Sequence, residues 1–250
     1  MRMTYLEIVT DILSDMDSDE VSSIFDTVES NQVAQIVETT YYNIIDGKDW
    51  PHLYKPFQLT ESSTTTPTHM AIANTVMDIQ YVKYNVRKVA DTRDRYTEMV
   101  FKEPHEFMKM VDDRDSSATN IDQVTDPSSI LINVYNDRAP TYFTSFDEET
   151  IIFDAYDSAV ETFLRTTKTQ CYGKVYPTVT RVDNFYFDLP QDAFSYLLNE
   201  AKSTCFITLK QQQNIKADQH ASLQKRRMSQ EAWKLRNGIT YSDYGRKPHK

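Results

Sequence analysis

Three aspartates at alternating positions, Asp15, Asp17 and Asp19, are the strongest candidate for chemistry in this sequence. Their spacing is that of the first ligands of a calcium-binding loop, in which carboxylate oxygens surround the ion. Glu20 stands where that loop needs a glycine for its sharp turn, and Asp26 stands where it needs a glutamate. The sequence therefore predicts a solvated turn between helices, and no metal is expected.

A second group of carboxylates comprises Asp147, Glu149 and Asp154, in the segment "TYFTSFDEETIIFD". Carboxylates that converge in a cleft can hold the metal ions of a nuclease, which is the enzymatic alternative for this chain. Such a site requires the three side chains to meet. The residues around Asp147 have the composition of a polar hairpin turn, so we expect them to serve that turn and predict no catalytic residue.

Residue types that bind cofactors are scarce. Four glycines are too few and too scattered to build a phosphate-binding loop or a dinucleotide-binding fingerprint. The five histidines include no pair at metal-binding helical spacing. Cys171 and Cys205 match neither a disulfide framework nor a zinc motif, and we expect both to be buried as small hydrophobic residues. No cofactor is therefore expected.

The composition predicts a folded and soluble protein. The chain has 250 residues, of which 40% are hydrophobic and 12% aromatic, enough to form one domain or two small ones. Its net charge of −10 gives no global positive field for nucleic acid or for an anionic membrane. No apolar run approaches the roughly 20 residues that cross a bilayer, and the first ten residues lack the layout of a signal peptide. We expect synthesis in the cytoplasm and no contact with a membrane.

The first part of the chain is predicted to be helical. Thr4 and Glu7 form a capping-box pattern ahead of apolar residues at helical spacing. A later helix is predicted to end at Gly47, because glycine suits a left-handed C-terminal cap. The Trp50-Pro51 pair predicts that the chain is extended after this helix, because a residue before proline disfavours the helical conformation. Gly47, Trp50 and Pro51 are thus predicted to form an interdomain joint, with Trp50 packed between a helical layer and a β layer.

The middle of the chain changes to the alternating pattern of strands. A short helix is predicted to begin at Pro104, and a hairpin is predicted over residues 141–154 with its turn at 146–149. Other strands are predicted at 53–60, 78–88, 96–102, 130–135, 171–176 and 178–187. The predicted fold class is therefore α+β, with a mostly antiparallel β domain at 53–188 inserted into a helical bundle of 1–52 and 189–237.

A long C-terminal helix is predicted because residues 191–237 contain neither glycine nor proline, Pro190 suits the first helical position, and Gly238 stands at the far end. A continuous helix of this length would extend about 70 Å. A compact globule of this chain is only about 45 Å across, so part of the helix must overhang or bend. Residues 238–250 are predicted to form an extended tail.

The two ends of the chain carry opposite charge. Residues 1–61 have a net charge of −9 and residues 216–250 a net charge of +6. These ends suit head-to-tail contacts between copies of the chain. The polar second half of the predicted helix needs a partner or solvent, and Trp233 resembles an interface anchor. The predicted interface residues, for a portal or a neighbouring subunit, are Lys225, Arg226, Arg227, Trp233, Lys234, Arg236, Tyr241 and Tyr244.

Several segments resemble a family of virion proteins. "MTYLEIVTDIL" and "VSSIFDTVESNQVAQIVETTYYNIIDGKDWPHL" are similar to the amino terminus of the head-to-tail connector (adaptor) proteins of tailed bacteriophages, in the group of tail tubular protein A. "APTYFTSFDEETIIFD" and "DNFYFDLPQDAFSYLLNEAKSTCFITLKQQQNIKADQHASLQKRR" resemble the middle and the end of phage virion proteins of that kind. The resemblance covers most of the chain. The chain differs in one respect, since its β region is larger than that of the smallest members of this family.

The resemblance implies a non-enzymatic assembly protein of the virion neck. Such proteins form a twelve-fold ring beneath the portal, with a bundle of amino-terminal and carboxy-terminal helices and a carboxy-terminal extension that reaches a neighbour or the portal. The implied partners are further copies of the chain, the portal protein and downstream tail or nozzle proteins. Genome DNA would pass through the channel without specific binding. The alternatives are another tail or neck structural protein, the carboxylate-metal nuclease, and a monomeric binding module whose polar helix is solvated.

Overall fold

The structure is a computed structural model that describes residues 2–230 of the chain. The chain divides into two compact units. Met1–His52 and Thr178–Lys250 form a helical unit, and Leu53–Pro177 form a β unit. The fold is mixed α and β. Within the described residues the helices are α1 (Tyr5–Asp15), α2 (Val28–Asp46), α3 (Pro104–Asp112), α4 (Gln191–Lys210) and α5 (Ile215–Gln230).

Both N-terminal helices begin at side-chain caps. The predicted capping box of α1 is confirmed, since the Thr4 hydroxyl accepts the Glu7 N–H at 3.2 Å and Glu7 accepts the Thr4 N–H at 2.7 Å. Thr27 and Ser30 make the equivalent pair at the start of α2. These bonds satisfy donors that a helix start leaves without partners. Buried apolar side chains of α1 and α2 then form much of the helical unit's core: Ile8, Val9, Ile12, Leu13, Val33, Val37, Tyr41 and Ile45.

The predicted long C-terminal helix, whose continuity the sequence leaves open, is divided into two helices, because the chain turns back after Lys210. Gln211 adopts a left-handed conformation with φ of 54°, which ends α4. Asn214 then accepts the Ala217 N–H at 3.1 Å and starts α5. Helix α5 packs against α4. The buried residues of α5 include Ala217, Ala221 and Met228, whose spacing places them on one helical face. Pro190 precedes α4 as its N-cap rather than occupying its first turn.

Residues 178–187 do not form the predicted strand. This segment is irregular, with a turn at residues 183–184, and lies along the start of α1, where the N–H groups of Tyr5 and Leu6 donate to its carbonyl oxygens at 2.8 and 3.1 Å. The Phe187 side chain is 1% exposed. Its ring centroid lies 4.9 Å from that of Tyr5 and 5.0 Å from that of Tyr41. The alternating pattern of this segment therefore serves packing within the helical unit.

The β unit contains ten strands among the described residues. They are β1 (Tyr54–Phe57), β2 (His69–Ala71), β3 (Val76–Asn85), β4 (Tyr96–Glu98), β5 (Val100–Phe101), β6 (Ile121–Thr125), β7 (Leu131–Tyr135), β8 (Tyr142–Thr144), β9 (Thr150–Phe153) and β10 (Thr169–Val175). Two four-stranded sheets have the orders β1-β10-β3-β4 and β2-β9-β8-β5, and β6 pairs with β7. All these pairs are antiparallel except β5 with β8.

The sheets share one apolar core. Met70, Val82, Ile132 and Phe153 are buried in it, and α3 contributes Phe107 and Val111 from one face. The predicted helix at Pro104 and the predicted hairpin at 141–154 are confirmed as α3 and as the β8–β9 pair. Strands β2 and β6 were not predicted, because both lie in segments that read as polar loops.

Gly173 lies where strands β10 and β3 approach each other closely. A Cβ atom at this position would lie 2.0 Å from the backbone oxygen of Asp78 in β3, and the β10–β3 register shifts beside it. We expect Gly173→Ala to lower the free energy of unfolding by about 1 to 3 kcal/mol, because the strands must separate to admit the methyl group. The measurement is urea denaturation. Gly47→Ala is the control: at φ of −71° we expect it to change stability by less than about 1 kcal/mol.

Candidate functional site

The predicted basic interface lies partly on α5. Lys225, Arg226 and Arg227 are exposed on this helix, whereas Ala221 and Met228 beside them are buried. One face of α5 is therefore basic and exposed. The opposite face, made of small and apolar side chains, packs against α4. The rest of the predicted interface lies outside the described residues: Trp233, Lys234, Arg236, Tyr241 and Tyr244.

The acidic counterpart lies around the end of α1, where α4 supplies basic partners. The Lys202 ammonium contacts Asp11 at 2.7 Å and Asp15 at 2.6 Å. Burial lowers the pKa of Lys202, but the hydrogen bonds to the two carboxylates outweigh burial and leave the pKa above its usual value. Asp15 is therefore paired with lysine, and exposed Asp17 and Asp19 follow it in the loop. The sequence did not predict this pairing, because the partners are far apart along the chain.

A second lysine of α4 fixes the same acidic region. The Lys210 ammonium lies 3.3 Å from Glu29, near the start of α2, and donates to the Ser18 hydroxyl at 3.1 Å. Part of the negative charge of the first segment is thus neutralised inside the helical unit. Exposed carboxylates remain on the loop after α1 at Asp17, Asp19 and Glu20. These groups can face a basic surface of another molecule.

A groove of about 480 Å³ lies between α2 and the α4–α5 pair. Its walls are mostly amides and hydroxyls: Gln32, Gln35, Thr39, Asn43, Thr204 and Thr208. Ile36, Ile44 and Leu209 add apolar surface, and Glu200 and Lys225 are its charged residues. This set contains no nucleophile next to a base and no cluster of metal ligands. The groove offers polar, apolar and charged groups for contact with another molecule.

The predicted joint residues end α2. Gly47 has a right-handed conformation with φ of −71° and ψ of −11°, so the predicted left-handed cap is wrong. The reason is that its N–H still donates to the Asn43 carbonyl at 3.1 Å, which continues the helical pattern. Trp50 is 4% exposed, and its indole N–H donates to the Ile44 carbonyl at 3.0 Å. Trp50 thereby satisfies a carbonyl near the helix end, and Pro51 opens a single turn of 3₁₀ helix.

The carboxylates of the nuclease alternative do not converge. Asp147 lies in the turn before β9, where its carboxylate accepts the N–H groups of Glu149 and Thr150 at 3.0 and 2.8 Å. Asp154 follows β9 at the strand's other end and is buried. The four residues of β9, about 13 Å of extended chain, lie between the turn that holds Asp147 and Asp154.

Asp154 instead belongs to a buried network. Its carboxylate lies 3.1 Å from the Arg114 guanidinium and accepts the N–H groups of Thr141 and Tyr142 at 2.9 and 2.8 Å. Arg114 also donates to the carbonyls of Asn133 at 2.9 Å and Asp154 at 2.6 Å. These bonds tie the end of α3 to β7, β8 and β9. The function of the network is structural.

The structure also brings together a histidine and an aspartate that the sequence did not pair. The Nε2 atom of His69 lies 3.0 Å from the Asp126 carboxylate, and its Nδ1 atom lies 3.3 Å from the Thr68 hydroxyl. Burial lowers the pKa of His69, and Asp126 partly opposes that shift. Thr68 is 0% exposed, so its hydroxyl is out of reach of a substrate. The trio is a satisfied core cluster.

Both cysteines are buried, as predicted. Cys171 is 1% exposed and Cys205 is 0% exposed, and neither forms a disulfide. Burial raises the pKa of each thiol to about 12. Thiols with so high a pKa are poor nucleophiles at neutral pH. In the described part of the chain, no group of three or more histidine, cysteine or carboxylate side chains could hold a metal ion.

Helices capable of crossing a membrane are absent from the described residues, where none is long and apolar enough. No protein-family model matches the chain, and no curated protein matches it.

Proposed function

We propose that this protein is a structural component of a tailed-bacteriophage virion, a ring-forming adaptor between the portal and the tail. The observation that carries the proposal is the composition of the helical unit. It draws its helices from both ends of the chain, Met1–His52 and Thr178–Lys250, with the β unit between them in sequence. Adaptor proteins of the tail tubular protein A group, which the sequence resembles, likewise build a helical bundle from amino-terminal and carboxy-terminal helices.

The chemistry of the described residues supports an assembly role. Two carboxylates that the sequence offers for chemistry are engaged in ion pairs, Asp15 with Lys202 and Asp154 with Arg114. The exposed features are contact surfaces: the basic face of α5, the acidic loop after α1 and the polar groove along α2. Under this proposal the protein has no catalytic activity and needs no cofactor.

The proposed partners follow from the position of such a ring. Copies of the chain associate side by side, in a number that we propose to be twelve. One face of the ring contacts the portal protein, and the other contacts downstream tail or nozzle proteins. The genome passes through the channel without specific binding, which suits a chain of net charge −10. The protein is made in the host cytoplasm and functions in the neck of the virion.

Opposite charge offers a means of attraction between copies. The exposed residues Asp17, Asp19 and Glu20 follow α1, and Lys225, Arg226 and Arg227 are exposed on α5. Attraction between such surfaces speeds association and falls with ionic strength, since the screening length is about 8 Å at physiological salt. Assembly should therefore be sensitive to charge reversal on α5.

We expect the triple substitution Lys225→Glu, Arg226→Glu and Arg227→Glu to weaken association with copies and with a portal ring by about tenfold or more at physiological salt. Mass photometry of the full-length chain measures the association. A matched control makes the same charge change in the exposed loop between β3 and β4, through Lys88→Glu, Arg93→Glu and Arg95→Glu. Equal assembly of the α5 variant and the control would contradict the proposed interface.

A further inference from the structure

A second candidate surface lies within the β unit, between the first half of β3 and the β5–β8 pair. It is a groove of about 800 Å³. Its apolar wall contains Ile72, Met77, Ile79, Val100, Phe101 and Phe143. Three of these large apolar side chains are exposed to solvent: Met77 is 56% exposed, Val100 51% and Phe101 54%. Large exposed apolar side chains that gather in one groove indicate a binding surface, whereas single scattered ones do not.

One wall of this groove is an open strand edge. Strand β3 pairs with β10 from Val76 to Tyr84, but on its other side it pairs with β4 only at Lys83–Asn85. Among the described residues, no strand pairs with that second side along Val76–Tyr81. An open edge presents N–H and C=O groups that can take up a further strand, and proteins usually cover such an edge. An open edge beside an apolar groove is the arrangement that binds an extended peptide by strand addition.

The charge of the groove restricts the peptide. Its charged lining residues are Asp78, Glu98 and Glu148, and no described lysine or arginine lines it. A peptide that binds here should be extended, so that it can pair with the strand edge, and should carry apolar side chains two residues apart, so that they face the apolar wall. It should also be basic, to complement the acidic lining residues.

The C-terminal sequence of this chain has those properties. Ile239 and Tyr241 are two residues apart, Arg246, Lys247 and Lys250 follow, and Asp243 is the sole acidic residue after Glu231. Gly238 and Gly245 bound the segment that can pair as a strand, because glycine weakens strand interiors, and the basic residues follow it.

We propose that residues 238–250 of a neighbouring copy add to the open edge of β3, with Ile239 and Tyr241 in the groove. This inference rests on the proposed ring, in which each copy has a neighbour. Strand addition would cover the exposed apolar wall and would place the basic residues near the acidic lining. It would also link successive copies through backbone hydrogen bonds, in addition to the contacts of the helical units.

The test uses the full-length chain with Ile239→Glu and Tyr241→Glu, so that its own tail does not compete for the groove, and a labelled wild-type peptide of residues 231–250. Fluorescence anisotropy should show saturable binding. Met77→Glu should weaken that binding by about tenfold or more, because it places a charge in the apolar wall. Val89→Glu is the control, since Val89 is 77% exposed in the β3–β4 loop and does not line the groove. A peptide with Ile239→Glu and Tyr241→Glu should not bind.

Hydrogen exchange locates the peptide. Bound peptide should slow amide exchange within Val76–Tyr81 by about tenfold or more, as expected for new backbone hydrogen bonds. No binding, or binding that Met77→Glu and Val89→Glu weaken equally, would overturn the assignment. Protection of Val76–Tyr81 in the wild-type full-length chain at every concentration would show that the segment binds its own copy, which overturns the neighbour assignment.

The groove and the ring can fail separately. If the peptide binds but the wild-type full-length chain never assembles, the groove assignment stands and the ring proposal fails. If rings form equally well with the wild-type sequence and with Met77→Glu, and the peptide does not bind, the ring proposal stands and the groove assignment fails.

Discussion

Replacing Arg114 with methionine is expected to lower the free energy of unfolding by about 3 to 5 kcal/mol, because the change leaves the charge of Asp154 buried without its cation. The side chains of Arg114 and Asp154 are each 6% exposed. Arg114 also satisfies the carbonyl of Asn133, so its loss leaves several polar groups without partners. Urea denaturation followed by circular dichroism measures the change.

Arg138→Met is the matched control for this prediction. The guanidiniums of Arg114 and Arg138 both stack on the Tyr135 ring, at 4.1 and 3.9 Å from its centroid. The Arg138 side chain is 50% exposed and pairs with exposed Asp137, so its loss should cost less than about 1 kcal/mol. Equal losses in the two variants would show that ring stacking, and not the buried ion pair, supports the β unit.

Leu197→Ala is expected to cost about 2 to 5 kcal/mol in the helical unit, because Leu197 in α4 is 0% exposed and its truncation leaves a cavity. Leu223→Ala is the control. Leu223 is 52% exposed on α5, so its truncation should change stability by less than about 0.5 kcal/mol. Hydrogen exchange of the α4 amides measures both effects in the intact chain. A loss at Leu223 as large as that at Leu197 would mean that the buried faces of the helix pair are wrongly assigned.

Local signals predicted the elements whose causes are local. The Thr4 and Glu7 capping pair, Pro104 at the start of α3 and the polar turn around Asp147 each act within a few residues. The structure contains all three as predicted. Strand alternation likewise located β3, β7 and β10, although the boundaries differ by a few residues.

The turn between α4 and α5 could not be predicted in this way. Gln211 adopts a left-handed conformation that the sequence usually signals with glycine or asparagine. Helix α5 reads as polar because Ala217 and Ala221 supply much of its buried face. Small side chains add little to an apolar pattern, yet they allow two helices to approach closely. The apolar stripe of the sequence therefore becomes weaker after Lys210, although the helix that follows still packs against α4.

Contacts between distant residues account for what the sequence missed at the candidate site. Lys202 meets Asp15 only after α4 packs beside α1, and Arg114 meets Asp154 only after α3 packs on the sheets. Neither pair has a local pattern. Residues 178–187 were wrongly predicted as a strand for a similar reason. An alternating pattern indicates that one side of the segment is buried, but it does not show that the segment packs against the start of α1 instead of another strand.

Electron microscopy of the full-length chain, alone and mixed with a candidate portal ring at physiological salt, tests the central claim most directly. The account predicts class averages that show a closed ring of identical copies, with an open channel coaxial with that of the portal. It also predicts that Lys225→Glu, Arg226→Glu and Arg227→Glu together reduce the number of such rings, while the loop control of equal charge does not. A chain that stays monomeric with and without the portal, and an unaltered portal ring, would contradict the account.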